Sequence, residues 1–220
     1  MLIAEEFLLL CLDDRSGRRL IAGGRIGPAL GGALLGELAL RERIGVTADD
    51  SGWSKRGRVT ITSLDPTDDA ELDRALQMLA EHEGRKAKDL LSEMSRRRVT
   101  KDLQPRLLRR LAAAGLLSEQ HSTVLGFIPR TTWPAGDLGP EDEIRRRLHA
   151  ALVSGLTPTE RTVVLVALLQ VSGALSKVVA AEDKKAVKAR AKVLTEGYWV
   201  AKAVKQAIQE AETAAASAAV

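Results

Sequence analysis

The sequence contains little cysteine and few aromatic residues. One cysteine, Cys11, stands among 220 residues, which excludes an intramolecular disulfide and fits a reducing compartment. Aromatic residues make up 3% of the chain, although 45% of it is hydrophobic. A core of this composition must consist mainly of Leu, Val, Ile and Ala, which favours packed helices.

Long apolar runs are also missing. The two strongest, residues 7–12 and 162–175, fall short of the roughly 20 apolar residues that cross a bilayer. Glu5 and Glu6 stand where a secretion signal carries positive charge. We therefore expect a soluble, cytoplasmic protein whose contact with any membrane is peripheral.

The common catalytic and metal-binding motifs are missing as well. The chain has no G-x-S-x-G elbow, no G-x-x-x-x-G-K-[ST] loop and no H-E-x-x-H pair. Its three histidines, His82, His121 and His149, lie far apart in sequence, and no cysteine pair accompanies them. We predict that the protein is not an enzyme and binds no metal or cofactor.

Helical periodicity is the main pattern present. Leu30, Leu34 and Leu38 form an apolar stripe on a helix predicted from Pro28 to about residue 43. Further helices are predicted at 2–12, 65–83, 86–94, 106–114, 141–153, 158–171 and 182–210, the last interrupted near Gly197. Hairpins are predicted at 43–63 and 123–132. The fold class is mainly α: a single globular helical domain over residues 1–210 with one or two small β-hairpins, and a frayed tail at 211–220.

Positive charge is concentrated in one segment. The net charge is +4, which favours anionic partners. Residues 96–110 contain seven basic residues and one acid, Asp102, which predicts a helix face that is almost entirely positive. We interpret this cluster as an anion-binding surface. Its members are Arg96, Arg97, Arg98, Lys101, Arg106, Arg109 and Arg110.

A glycine-rich stretch at residues 23–27 precedes the helix predicted from Pro28. Unpaired backbone N–H groups at a helix N-terminus bind anions, and Arg25 would add a two-pronged donor for phosphate. The alternative is a plain loop whose glycines supply turn geometry.

An apolar hairpin follows the basic helix. The sequence at residues 124–128 is VLGFI, a candidate for insertion into a bilayer beside the positive charges. The alternative is an ordinary hairpin packed in the core. The four apolar candidates are Val124, Leu125, Phe127 and Ile128.

Five segments occur in an informative order. They are LIAEEFLLLCLDD at 2–14, GELALRER at 36–43, LDPT followed by ELDRAL at 64–76, GLL at 115–117 and TTWP at 131–134. In this order and spacing they resemble the Golgi phosphoprotein 3 family, peripheral membrane proteins that bind phosphoinositides. The likeness spans roughly residues 2–200 and suggests a bacterial-type member.

The resemblance implies binding of phosphatidylinositol 4-phosphate, with the apolar hairpin inserted in the bilayer. It also implies that tails of membrane enzymes are partners and that the chain self-associates into a homo-oligomer. The residues that we expect to bind the headgroup are Arg25, Arg97, Arg98, Lys101 and Arg106.

The family's own headgroup-binding positions are altered in this chain. They fall on Ala22, Gly31, Lys101 and Gln104, so only Lys101 keeps a charge. Lysine lacks the two-pronged fork of arginine, and glutamine lacks the charge. The resemblance therefore leaves the lipid selectivity open.

A DNA-binding protein is the main alternative. A basic helix at 96–114 followed by a hairpin also fits a winged helix, in which Arg106, Arg109 and Arg110 face DNA phosphates. That interpretation leaves the N-terminal third and the C-terminal helices without a role, so nucleic acid is the less favoured partner.

Overall fold

The computed structural model describes residues 1–47, 57–97, 99–124 and 128–217. Its described helices are α1 (Ile3–Leu10), α2 (Gly23–Leu40), α3 (Ala70–Ala80), α4 (Ala87–Arg96), α5 (Val99–Ala113), α6 (Gly139–Leu152), α7 (Glu160–Ser172), α8 (Leu175–Val178), α9 (Lys184–Thr195) and α10 (Trp199–Ser217). Strands β1 (Ile44–Val46) and β2 (Val59–Ile61) form one antiparallel hairpin, and β3 (Gln120–Val124) and β4 (Ile128–Thr132) form another. The prediction of a mainly α fold with small hairpins is confirmed.

Helix α2 lies at the centre of the helical packing. It contacts α1, α3, α4, α5, α7 and α10, and its residues are buried almost continuously from Ile26 to Leu38. Two glycines allow this close packing. A Cβ atom on Gly32 would lie 2.1 Å from Val204 Cγ2 of α10, and one on Gly36 would lie 2.6 Å from Val164 Cγ1 of α7. Helices α7 and α10 therefore approach the backbone of α2 directly.

Helix α1 is buried along its whole length, including two carboxylates. Glu5 and Glu6 are each 4% exposed, and Glu37 of α2 is equally buried. Buried charges are tolerated only when they are paired. These three glutamates are bonded to arginines from several other helices, and together they form the buried glutamate network.

Glu37 and Arg161 form the centre of the buried glutamate network. Arg161 Nη1 donates to both carboxylate oxygens of Glu37 (3.0 and 3.1 Å), and its Nε donates to Glu6 Oε1 (3.0 Å). Glu37 Oε2 also accepts the backbone N–H of Ile3 (2.8 Å), and Arg41 bonds its other oxygen. Burial opposes the charge of Arg161, but Glu6 and Glu37 outweigh it and raise the pKa of Arg161.

The rest of the network reaches α5 and α6. Arg110 of α5 donates to Glu5, and Arg147 of α6 lies 3.3 Å from Glu6 Oε1. Glu5 Oε2 accepts the backbone N–H of Leu2 at the start of α1 (2.6 Å). The network therefore joins α1 to four other helices at one end of the bundle.

Two helices start earlier than the sequence predicts, and α3, predicted from residue 65, starts later, at Ala70. Helix α2 begins at Gly23 rather than Pro28, and α5 begins at Val99 rather than Arg106. Each helix therefore contains a proline, Pro28 or Pro105, which removes one intrahelical hydrogen bond. Burial of apolar side chains in the extra turns, such as Ile26 and Leu103, outweighs that loss.

The C-terminal half follows the prediction more closely. Helix α9 ends at Thr195 and α10 begins at Trp199, so the predicted interruption near Gly197 is confirmed. Gly197 has a φ of +78°, which glycine adopts at no steric cost. Helix α10 continues to Ser217, and the predicted domain boundary at residue 210 stays a prediction. Among the described helices, none is long and apolar enough to span a membrane.

We expect Glu37→Gln to lower the free energy of unfolding by about 3 kcal/mol, because Arg161 and Arg41 lose a buried charged partner. Urea unfolding followed by circular dichroism measures the change. The matched control is Glu143→Gln, which breaks the exposed pair with Arg146 and should cost less than about 1 kcal/mol. Equal losses in the two variants would contradict a special role for the buried glutamate network.

Candidate functional site

A tight turn at residues 13–19 follows α1. Asp13 Oδ1 accepts hydrogen bonds from the backbone N–H of Ser16 (2.8 Å) and from its hydroxyl (2.7 Å). The hydrogen bond from the Ser16 side chain is the main reason why the pKa of Asp13 is lowered. The turn closes with Leu12 bridged to Arg19 in an antiparallel pair. Its geometry places Arg18 and Arg19 side by side on the surface.

Gly17 fixes this turn against the end of the β3–β4 hairpin. The backbone N–H of Trp133 donates to Gly17 O (3.3 Å), and that of Ala135 donates to Asp14 O (2.8 Å). Gly17 has a φ of +60°, and a Cβ atom there would lie 2.2 Å from the Trp133 nitrogen. Only glycine allows this approach, so the turn and the hairpin base are held in contact.

A polar groove lies between the turn, the hairpin and α5. Its volume is about 310 Å³. Arg18, Arg19 and Arg130 line it from two separate segments of the chain, and Gln104 lines it from α5. The Nη1 atom of Arg19 lies 2.7 Å from where a Cβ on Gly23 would stand, at the start of α2. We call this site the arginine groove. Its lining residues are Leu12, Gly17, Arg18, Arg19, Gln104, Leu108, Pro129, Arg130, Thr131, Thr132 and Trp133.

The arginine groove carries positive charge without compensation from its own walls. Among the described residues that line it there is no Asp or Glu. Within the described part of the chain, no carboxylate forms an ion pair with Arg18, Arg19 or Arg130. Guanidinium groups grip phosphate oxygens through paired N–H donors, so three of them around one groove suit a phosphorylated ligand.

The predicted basic cluster on α4 and α5 has a different arrangement. Arg106 forms a two-bond pair with Glu71 of α3 (2.7 and 2.8 Å), and Arg97 bonds Glu81 (2.7 Å) and Glu93 (2.9 Å). Arg110 is held by Glu5 and Asp69, and Arg96 by Glu93. The interpretation as a face of one sign is therefore corrected, because acids from α1, α3 and α4 neutralise it.

Two members of that cluster differ from the rest in exposure and pairing. Lys101 and Arg109 are exposed and have no ion-pair partner among the described residues. Lys101 lies one turn before Gln104 and so shares the helix face that reaches the arginine groove. Arg98, another predicted headgroup ligand, lies outside the described residues.

Arg25 lies in the first turn of α2, and its side chain turns towards the end of α7. Its Nη1 donates to the carbonyl oxygen of Ser172 (3.4 Å), and the same nitrogen lies 2.9 Å from where a Cβ on Gly173 would stand. A cation at a helix C-terminus complements the helix dipole. The structure thus places Arg25 against α7, whereas the prediction that it binds a headgroup stays a prediction.

The family's headgroup positions are placed in contrasting environments. Ala22 is the exposed N-cap of α2, and Gly31 is buried against α4 and α5. A Cβ atom at Gly31 would lie 2.8 Å from Leu91 Cδ2, so an arginine does not fit there. Gln104 lines the arginine groove. The arginine groove therefore includes one of the family's headgroup positions, and its arginines come from other segments of the chain.

The β3–β4 hairpin stands beside the arginine groove. Gln120, His121, Ser122 and Thr123 are all exposed, so both faces of β3 meet solvent. The strands pair up to Val124 and Ile128, the outermost paired positions. Leu125 and Phe127, predicted to insert into a membrane, lie outside the described residues. The exposed strands argue against the alternative of a hairpin packed in the core.

Sequence reasoning missed Arg18, Arg19 and Arg130. The arginines are visible in the sequence, but their convergence depends on the contact between Gly17 and Trp133, which lie 116 positions apart. The available signal was Gly17 itself, a glycine in a turn that ends beside two arginines.

Catalytic chemistry finds little support in the same region. Within the described residues, no group of three or more His, Cys, Asp or Glu side chains is placed to hold a metal ion. Cys11 is buried, and burial raises the pKa of its thiol to about 12, so it is not a nucleophilic thiolate at neutral pH.

The winged-helix alternative depends on three arginines of α5. Arg106 and Arg110 are bonded to Glu71, Glu5 and Asp69, so their donors already face carboxylates of the same chain. Contact with DNA phosphates would have to break those ion pairs. The geometry thus favours the arginine groove as the anion site.

We expect Glu71→Gln to lower the free energy of unfolding by about 2 kcal/mol at neutral pH. Burial opposes ionisation of Glu71, but the Arg106 hydrogen bonds outweigh it and lower its pKa. A lowered folded-state pKa gives stability above the unfolded value, near 4.3, that is lost as pH falls through the folded value. Thermal unfolding should show the difference at pH 7 and its disappearance in acid, once Glu71 is protonated in the folded protein. A difference that persists unchanged in acid would contradict the ion pair.

Comparison with known proteins identifies a family for the chain. The family model for Golgi phosphoprotein 3 (GPP34) matches residues 3–211, nearly the whole chain. None of the curated proteins that were compared with the chain matches it. The match runs from α1 into α10 and includes every segment that forms the arginine groove. The chain therefore belongs to the Golgi phosphoprotein 3 family.

Proposed function

We propose that this protein is a peripheral membrane protein that binds an anionic lipid headgroup in the arginine groove. The observation that carries the proposal is that Arg18, Arg19 and Arg130 line one groove, with no carboxylate among its described lining residues. A phosphorylated headgroup is the ligand whose charge and hydrogen-bond acceptors match three guanidinium groups. Family membership supports a phosphoinositide, of which phosphatidylinositol 4-phosphate is our first choice.

The paired arginines of α4 and α5 take a supporting role in this proposal. Arg97 and Arg106 hold α4 and α5 to α3, so they position Gln104 and Lys101 rather than contact the lipid. Lys101 adds one long-range positive charge next to the groove. The groove arginines replace the family's own arginine positions, which this chain lacks.

The hairpin supplies the second anchor. Basic residues near an anionic surface contribute about 1 kcal/mol each, so a few charges hold a protein on a membrane only with help from buried apolar surface. We propose that the VLGFI sequence at residues 124–128, the hairpin tip, supplies that apolar surface. We propose that the tip enters the bilayer while the groove closes on the headgroup.

This function requires binding rather than catalysis. We therefore propose that the protein is not an enzyme, needs no cofactor and acts in the cytoplasm at a membrane surface. Tails of membrane enzymes are proposed as protein partners on family grounds alone.

The first experiment is sedimentation with liposomes. Three compositions are compared: neutral phosphatidylcholine, phosphatidylserine and phosphatidylinositol 4-phosphate, the last two at equal total charge. We expect the triple variant Arg18→Ala, Arg19→Ala, Arg130→Ala to lose about 3 kcal/mol of binding to the phosphoinositide liposomes, on the order of a hundredfold.

A matched control removes three exposed arginines elsewhere and changes the net charge equally. It should keep binding within about threefold, because distant charges are screened. Equal losses in the two triple variants would overturn headgroup binding in the groove and leave only general electrostatic attraction. The control substitutions are Arg74→Ala, Arg85→Ala and Arg146→Ala.

The hairpin is tested separately. We expect Leu125→Asp with Phe127→Asp to weaken binding to every anionic liposome at least tenfold, since two charged groups must then leave water. The preference for phosphoinositide over phosphatidylserine should persist in this variant. Full binding with an acidic tip would contradict insertion. The exposed substitutions His121→Asp and Ser122→Asp in β3 serve as the control.

A further inference from the structure

A second groove lies on another part of the molecule, at the connection between the end of α9 and the start of α10. Its volume is about 860 Å³, and it is bounded by the end of the β1–β2 hairpin, the last turn of α7 and the first turns of α10. We call it the lysine groove. Its lining residues are Val46, Thr47, Gly57, Gln170, Val171, Thr195, Gly197, Tyr198, Trp199, Ala201, Lys202 and Lys205.

The floor of the lysine groove is apolar and aromatic. Tyr198 and Trp199 are half-buried and pack against the hydrophobic core on one side, with Val171 beside them. Their remaining surface, with that of Val46 and Ala201, faces the groove. Such a surface favours aliphatic or aromatic side chains of a ligand.

Both charged residues of the lining have the same sign. Lys202 and Lys205 lie one helical turn apart on α10, both are exposed, and the described residues that line the groove include no acid. The residues three or four positions from either lysine include no Asp or Glu, so α10 itself does not neutralise them. Like charges at this spacing repel each other, and an acidic ligand would relieve that repulsion.

The positive edge continues onto α9. Lys192 is exposed and lies one turn before Thr195, which lines the groove. Lys188 lies one further turn away and is also exposed. Within the described part of the chain, neither lysine forms an ion pair. A ligand longer than the groove would therefore meet further positive charge along α9.

We propose that the lysine groove docks a peptide segment of a partner protein in which acidic residues alternate with apolar ones. The apolar side chains would occupy the floor formed by Tyr198, Trp199 and Val171, and the carboxylates would face Lys202 and Lys205. A nucleic acid fits less well, because the described lining of the groove itself offers only two cations to a phosphate backbone. The proposal is independent of headgroup binding, which uses other residues.

The test uses fluorescence anisotropy with labelled synthetic peptides and the full chain. One peptide alternates Leu with pairs of Glu, and its mirror replaces each Glu by Lys. We expect the acidic peptide to bind and the basic one to fail. The double variant Lys202→Glu, Lys205→Glu should weaken the acidic peptide at least about tenfold and bind the basic peptide instead, since the charge pattern is reversed.

The matched control is Lys184→Glu with Lys185→Glu, which reverses two exposed charges at the far end of α9. It should keep acidic-peptide binding within about twofold, and circular dichroism should show that both variants melt like the parent. Liposome sedimentation of the Lys202→Glu, Lys205→Glu variant should be unchanged, which separates this site from the arginine groove.

Three results would overturn the proposal. The first is no binding of the acidic peptide to the parent protein. The second is an equal loss in both double variants, which would mean a general charge effect. The third is tighter binding of a single-stranded oligonucleotide that Lys202→Glu and Lys205→Glu abolish, which would assign the groove to nucleic acid.

Discussion

The buried glutamate network is the constraint on which the rest of the structure depends. Helix α1 is apolar enough to be buried along its whole length, yet it brings Glu5 and Glu6 with it. Those carboxylates are stable inside only because Arg110, Arg147 and Arg161 reach them from other helices. Since removal of one partner leaves a charge buried and unpaired, the network restricts how the helices can be arranged around α1.

The same demand for pairing decides which arginines are available for a ligand. Arg106 and Arg110 lie on the basic helix, but their donors face Glu71, Glu5 and Asp69. The arginines at the arginine groove come from a surface turn and a hairpin strand, where no carboxylate of the described chain meets them. Charge density along a helix counts cations and ignores acids that approach from elsewhere, so it could not show that Arg106 and Arg110 are paired within the chain.

Family membership supports the fold, whereas the proposed ligand site depends on the residues of the arginine groove. The fold and the exposed hairpin agree with the family, whereas Gly31 leaves no room for an arginine at a family headgroup position. We propose that the arginine groove takes over headgroup binding with arginines from different segments, since a functional site can move while a fold is kept. The proposal for the lysine groove does not depend on the family and is based on the charge and shape of the groove.

The fold class, the two hairpins and the break near Gly197 could be predicted from the sequence alone, because these follow from local periodicity and glycine geometry. The family, too, was readable from the order of its segments. The starts of α2 and α5 could not be predicted from the sequence, because burial of Ile26 and Leu103 outweighed the local preference set by Pro28 and Pro105. The composition of the arginine groove was decided by tertiary structure alone. Gly17 must meet the backbone of Trp133 before Arg18, Arg19 and Arg130 share one surface, and no local pattern encodes that contact.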